Sequence, residues 1–206
     1  LMASGLFFLD SYRTRLVAER QAAAESQIKL LATSLAAMSD DEDVATLAKF
    51  AKAEKLRVRL YGLDGGKTYD SNTATGPNFR LVDPAKEPWR KTAARWMDRG
   101  FDFIVRAPDL ALYREPAKDT ASAWPELSGI SSSKSKSLVR FAPDLTHVVT
   151  ASTLLPDGQT RLLTTGNPRD IRALVRAERF TIGLFMLAVL VISVLLSLFL
   201  ARTIVK

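Results

Sequence analysis

The sequence predicts an α+β fold: a short antiparallel sheet with a long N-terminal helix against it, bracketed by two transmembrane helices. Three observations predict it. Segments that alternate apolar and polar residues cluster around turn signals, and helical periodicity flanks them at both ends. The 22 residues Phe180 to Ala201 contain no charge, no Pro and one Gly. At about 1.5 Å per residue they reach about 33 Å, enough for a hydrocarbon core of about 30 Å. Leu1 to Leu9 is apolar until Asp10, which reads as the outer end of a first membrane helix. The chain opens on Leu with no basic region ahead of its apolar one, so it reads as a segment of a longer protein rather than one starting with a signal peptide.

The resulting division is 1–9 for the end of the first membrane helix, 10–179 for one folded domain, 180–201 for the second span and 202–206 for the start of a linker. Among the 206 residues are 29 Lys plus Arg, 22 Asp plus Glu, one His and no Cys; 47% are apolar and 25% charged. That composition excludes a disordered chain and a disulfide framework. Arg202 and Lys206 follow the second span while Arg172, Arg176 and Arg179 precede it. A long loop counts little in the positive-inside rule, so 10–179 is placed outside the cytoplasm. The positive excess is spread thinly and no Lys/Arg stripe with stacking aromatics occurs. Membrane lipid or an acidic partner is therefore expected, and nucleic acid is not.

Asp10 to Met38 reads as one helix, with Ile28, Leu31, Leu35 and Met38 forming a narrow seam that suits either its own domain or the same helix of a second subunit. Asp40-Asp41-Glu42-Asp43 could suggest a hard cation. Ser39-x-x-Glu42, however, fits a capping box, and acids in a first turn complement the helix dipole. The helix they open runs to about Lys55, with Val44, Leu47, Ala48 and Ala51 inward. Val58 to Leu63 and Lys67 to Tyr69 alternate on both sides of Asp64-Gly65-Gly66, a hairpin signal. Pro88 to Met97, with Trp89, Ala93 and Trp96 at helical spacing, predicts a short helix, and Phe101, Phe103 and Val105 a strand. From Pro108 to Ser137 the pattern dissolves, and six of the ten residues from Ser128 to Ser137 are Ser, so this stretch reads as a mobile or a binding loop. Strands return at Leu138 to Phe141, Val148 to Leu155 and Arg161 to Thr165, the last two joined across Pro156-Asp157-Gly158. Asn167 as N-cap and Pro168 at the first turn open a helix that nothing interrupts before Phe180. A sheet with a continuous helix at each end is the arrangement a transmembrane sensor needs.

No Gly-x-Ser-x-Gly, no His-Glu-x-x-His and no phosphate-cradling Gly loop is present, and nothing pairs the carboxylates, so no catalytic, cofactor-binding or metal-binding residue is expected in these residues. His147 has two readings: an ordinary packed or surface residue, or a proton sensor, since a free imidazole titrates near 6.5.

Gly166-Asn-Pro-Arg-Asp-Ile-Arg-Ala-Leu-Val-Arg-Ala-Glu-Arg179, the apolar run after it and Leu200-Ala-Arg-Thr-Ile-Val-Lys206 resemble the end of the sensor region of the ChvG/ExoS-type sensor histidine kinases. Arg57-Val-Arg-Leu-Tyr61 with Asp64-Gly65 and Tyr69-Asp70-Ser71 resembles that family's first hairpin. The resemblance implies a periplasmic PAS-like (PDC-like) sensor domain in an inner-membrane homodimer, with Arg176, Glu178 and Arg179 on the signal-coupling helix. It also implies a HAMP linker, a phosphoacceptor helix and a catalytic domain using ATP and Mg beyond Lys206, together acting as a histidine protein kinase on a response regulator. Acidity or a periplasmic repressor protein would be the input. The same sensor module on a chemoreceptor or diguanylate cyclase, or a membrane-anchored interaction protein, are the alternatives.

Overall fold

The computed structural model describes residues 2–37, 40–79, 81–86, 88–89, 92, 95–96, 99–100, 103, 110–130, 134–168 and 170–204; side chains are described for these except 2–10, 40–43, 86, 170–179, 182–183, 186 and 204. It is an α+β structure built on one five-stranded antiparallel sheet. The elements run α1 (Met2–Leu35), α2 (Asp40–Ala53), β1 (Leu56–Tyr61), β2 (Lys67–Asp70), α3 (Ser71–Thr75), β3 (Lys136–Phe141), β4 (His147–Leu154), β5 (Arg161–Gly166) and α4 (Asp170–Ile204). Between α3 and β3 lie the 3-10 turns Pro84–Lys86, Ala121–Ala123 and Pro125–Leu127.

The strand order is β2-β1-β5-β4-β3. β5 therefore lies between β1 and β4, and its last residue, Gly166, faces Leu56 on one side and Val149 on the other. The β1–β2 hairpin closes where the sequence predicts it. Gly62 N–H donates to Gly66 C=O at 2.9 Å, and Gly65 sits at φ 78°, a left-handed value that favours glycine.

A strand's side chains alternate between faces, so each face of the sheet acquires its own core. On one face α1 lays Ile28, Leu31, Ala32 and Leu35 over Val58, Ala151 and Leu162, with Leu47 and Ala51 of α2 beside them. The helix seam thus packs on its own sheet. Val44 of α2, expected inward, is half exposed. The other face is covered by the segment 111–130: Tyr113, Ala121, Trp124 and Leu127 pack on Tyr61, Val148 and Leu163. Over 111–130 the stretch predicted as a mobile or binding loop is therefore an ordered cover, held because Tyr113 N–H donates to Phe141 C=O at 2.7 Å and Ala121 N–H to Gly65 C=O at 2.9 Å, while 108–109 and 131–133 of the same prediction lie outside the described residues.

Three expectations are corrected. Among the described residues no helix is long and apolar enough to cross a membrane, so the two bracketing transmembrane helices are not a feature of this structure. In α1 the apolar stub continues within the same helix into Arg13, Arg15, Glu19 and Arg20. Asn167 does not cap α4, which begins at Asp170; neither of its side-chain amide atoms has a hydrogen-bond partner. The strand predicted around Phe103 is absent at that residue, which is helical and exposed, so its alternation meets no sheet; its neighbours 101–102 and 104–105 lie outside the described residues. The helix predicted over 88–97 also falls partly outside them, with Trp89, Thr92, Arg95 and Trp96 helical, and Ser39 of the predicted capping box lies outside as well.

Candidate functional site

β1 places Val58 on the α1 face, so Arg57, Arg59 and Tyr61 point to the covered face, where two guanidinium groups must be buried. A buried cation is tolerated only when paired and hydrogen-bonded. Arg57 donates from Nε to Asp70 Oδ1 at 3.0 Å and from Nη2 to Asp70 Oδ2 at 2.7 Å, a two-pronged pair, and from Nη1 to Glu115 at 2.6 Å. Arg59, wholly buried, donates to Thr165 Oγ1 at 2.7 Å and lies 4.4 Å over the Trp124 ring. Asp119, from the covering segment, accepts from Tyr61 Oη at 2.7 Å, Trp124 Nε1 at 2.8 Å and Lys67 Nζ at 2.9 Å.

Burial pushes the Asp70 carboxyl up, but hydrogen bonds from Arg57 and Lys67 outweigh it and hold it down at about 2. Asp119 is likewise pushed up by burial and carried well below the carboxylate range by Tyr61, Lys67 and Trp124. Burial raises Tyr61 above its ordinary value, so its hydroxyl stays a donor. A second knot holds the same cover lower down. Buried Glu126 accepts from Arg140 and Thr150, and Ser152 Oγ donates to Glu126 C=O at 2.7 Å. Opposite charges pair across this face, with Arg59 Nε and Glu126 Oε2 left as buried polar atoms without a hydrogen-bond partner. Chemically it is a lock between cover and sheet.

The opposite edge holds open space. A cleft of about 630 Å³ lies where α1, the ends of β1 and β5, the chain after α3 and the approach to α4 converge. Arg20 and Gln27 of α1, Glu54 and Lys55 after α2, Asn78 after α3, Thr164 of β5 and Asn167 before α4 supply its polar lining, and its apolar part includes Leu56, Phe79 and Val149. Gln27 Nε2 donates to Glu54 Oε2 at 2.8 Å, and Asn78 Nδ2 to Leu56 C=O at 3.0 Å. Gly166 forms part of the wall because a Cβ there would come within 2.4 Å of Leu56 Cδ2.

No protein-family model, curated protein or solved structure matches this chain.

The site residues singled out from sequence are not brought together. His147 opens β4, buried, with its ring 5.2 Å from that of Phe141, its cross-strand partner. Arg176, Glu178 and Arg179 lie on α4, where their side chains fall outside the described ones. The acidic run 40–43 is in the first turn of α2, also without described side chains; among the described residues no group of three His, Cys, Asp or Glu could hold a metal ion. Sequence reasoning missed Arg57, Arg59, Asp70, Asp119 and the cleft. Arg57-x-Arg59 within a strand was the available signal, but charges at period two read equally well as a solvent face.

Proposed function

We propose that this chain is the signal-input module of a sensor histidine kinase. In this reading it receives an envelope signal and passes a helix displacement to a kinase part that uses ATP and Mg to phosphorylate a response regulator. One observation carries it. β5, the central strand, passes through Gly166-Asn167-Pro168 almost directly into α4, and α1, packed on the same sheet, also lies against α4. A change at that edge of the sheet therefore reaches both long helices, the kind of element a population shift between two packings can bias. The resemblance of 166–206 to the ChvG/ExoS-type sensor region supports the same reading.

The test is a chimera in which α4 runs in register into the catalytic core of a histidine kinase, with one to four Ala inserted near residue 200. Each inserted residue turns the helix by about 100°. Autophosphorylation is expected to rise and fall with insertion number. Output that ignores the number of inserted residues refutes the proposal.

A further inference from the structure

We infer that the cleft between α1, the β1–β5 edge and the approach to α4 is a binding site for a short zwitterionic peptide. This deepens the reading above by naming the class of ligand, and it rests on that reading only for what binding does next.

Size comes first. About 630 Å³ falls within the range of small-molecule sites and suits a di- or tripeptide. The lining then selects the chemistry. Glu54 stands in the lining with the cations Arg20 and Lys55, so a simple cation would meet two like charges and a simple anion would meet Glu54, whereas a molecule bearing both an ammonium and a carboxylate would find a partner for each. Among the described residues the Lys55 ammonium meets no ion-pair partner, and its backbone sits at φ 53°, a left-handed value unusual for a lysine, which fixes where its side chain leaves the turn between α2 and β1.

The third feature is Asn167. Its Nδ2 and Oδ1 are both shielded and both lack a hydrogen-bond partner, a costly state for a buried carboxamide. A carboxamide offers one acceptor and a pair of donors, the complement of a peptide unit, whose C=O accepts and whose N–H donates. Asn78 spends its amide N–H on Leu56 C=O, leaving its own carbonyl oxygen to accept a second peptide N–H. The apolar patch of Ala24, Phe79 and Val82 suits small side chains between the charged ends. To reach a ligand Asn167 must turn into the cleft. It stands three residues before the start of α4, so satisfying it shifts the segment through which β5 feeds that helix.

Trialanine titrated into the full chain, followed by amide NMR shifts, provides the test. Saturable binding with a Kd at or below about 1 mM is expected, with shifts centred on Asn78, Leu56 and Gly166. Lys55→Gln and Glu54→Gln, both at exposed positions, are each expected to weaken binding about five- to tenfold. Asn167→Ala should weaken it further. Trialanine acetylated and amidated at its ends should bind about tenfold or more weakly than the free peptide. Absence of saturation up to about 10 mM, affinity unchanged by Lys55→Gln and Glu54→Gln together, or shifts centred away from the cleft overturns the inference. Kinase output is read separately in the chimera. Binding without any change in output leaves the site standing and refutes transmission; register-dependent output without binding does the reverse.

Discussion

Replacing Asp70 by Asn removes one charge from the buried lock while keeping its shape. The carboxylate side chain is only 5% exposed and takes four hydrogen bonds: Arg57 Nε at 3.0 Å, Arg57 Nη2 at 2.7 Å, Lys67 Nζ at 2.8 Å and the backbone N–H of Asn72 at 3.1 Å. These partners lower its pKa from 3.8 to about 2. At about 1.4 kcal/mol per unit, that depression is linked to about 2 kcal/mol of stability. Because the folded value lies below the unfolded one, the contribution is complete above about pH 4 and disappears as pH falls through about 2. Asn keeps an acceptor for Asn72 but leaves Arg57 with Glu115, whose carboxylate is half exposed and screened, and with Asp119 at a looser 3.9 Å. Asp70→Asn is therefore expected to cost about 2 to 3 kcal/mol at pH 7, and the gap from wild type should narrow as pH drops from about 4 toward 2. Urea unfolding followed by Trp fluorescence reads it, since Trp124 lies over Arg59 in the same lock. A cost below about 1 kcal/mol at pH 7, or a gap as wide in acid as at neutrality, refutes this account of the face.

Other substitutions test other parts of the fold. Leu30 is 70% exposed and Leu31 5% exposed on the same turn of α1; Leu31→Ala should cost about 2 to 5 kcal/mol and Leu30→Ala within about 0.5, a contrast that chemical denaturation measures directly. Gly166→Ala places a methyl within 2.4 Å of Leu56 Cδ2. It should lower stability by about 1 to 3 kcal/mol in thermal melts and be largely rescued by Leu56→Ala. In the kinase chimera, His147→Gln should flatten the dependence of output on pH between about 5 and 7 under the proton-sensor reading of the imidazole; an unchanged profile removes that role. The exposed apolar run of α4, with Leu187, Leu190, Val194 and Leu198, should drive self-association, so light scattering should show assemblies that Leu187→Lys with Leu198→Lys disperses.

Much of the sheet was legible because its signals are local. Alternation around Asp64-Gly65 and Asp157-Gly158 locates four of the five strands, the two pairs flanking those turns, and the 3-4 spacing of Ile28, Leu31 and Leu35 finds the buried side of α1. What stayed hidden depends on contacts far apart in sequence. Asp119 reads as one more loop acid until it meets Tyr61, fifty-eight residues away. Trp124 and Glu126 look like punctuation between prolines, yet they cover the sheet because tertiary burial overrides their turn-like neighbourhood. Asn167-Pro168 reads as a helix start by local rules alone, but α4 opens later.

The two faces of the sheet divide the work in a way that the titration behaviour makes specific. On the covered face, Asp70 and Asp119 are held below the ordinary carboxylate range, so mild acidity leaves their charges in place and the cover stays locked. An acid input of the kind the family resemblance implies would have to enter elsewhere. His147 is the chain's one imidazole, and it opens β4. The cleft is the other entry, at the far end of β5 where Gly166 lies between β1 and β4. Both act on strands of the same sheet, but only the cleft adjoins the segment leading into α4. A ligand there needs no rearrangement of the ion-paired face to move the helix, whereas a proton at His147 must act through β4 and its pairing with β5. Ligand-driven and acid-driven responses should therefore differ in their sensitivity to Ala151 and Thr164, the paired residues midway along β4 and β5, with the acid response weakened first.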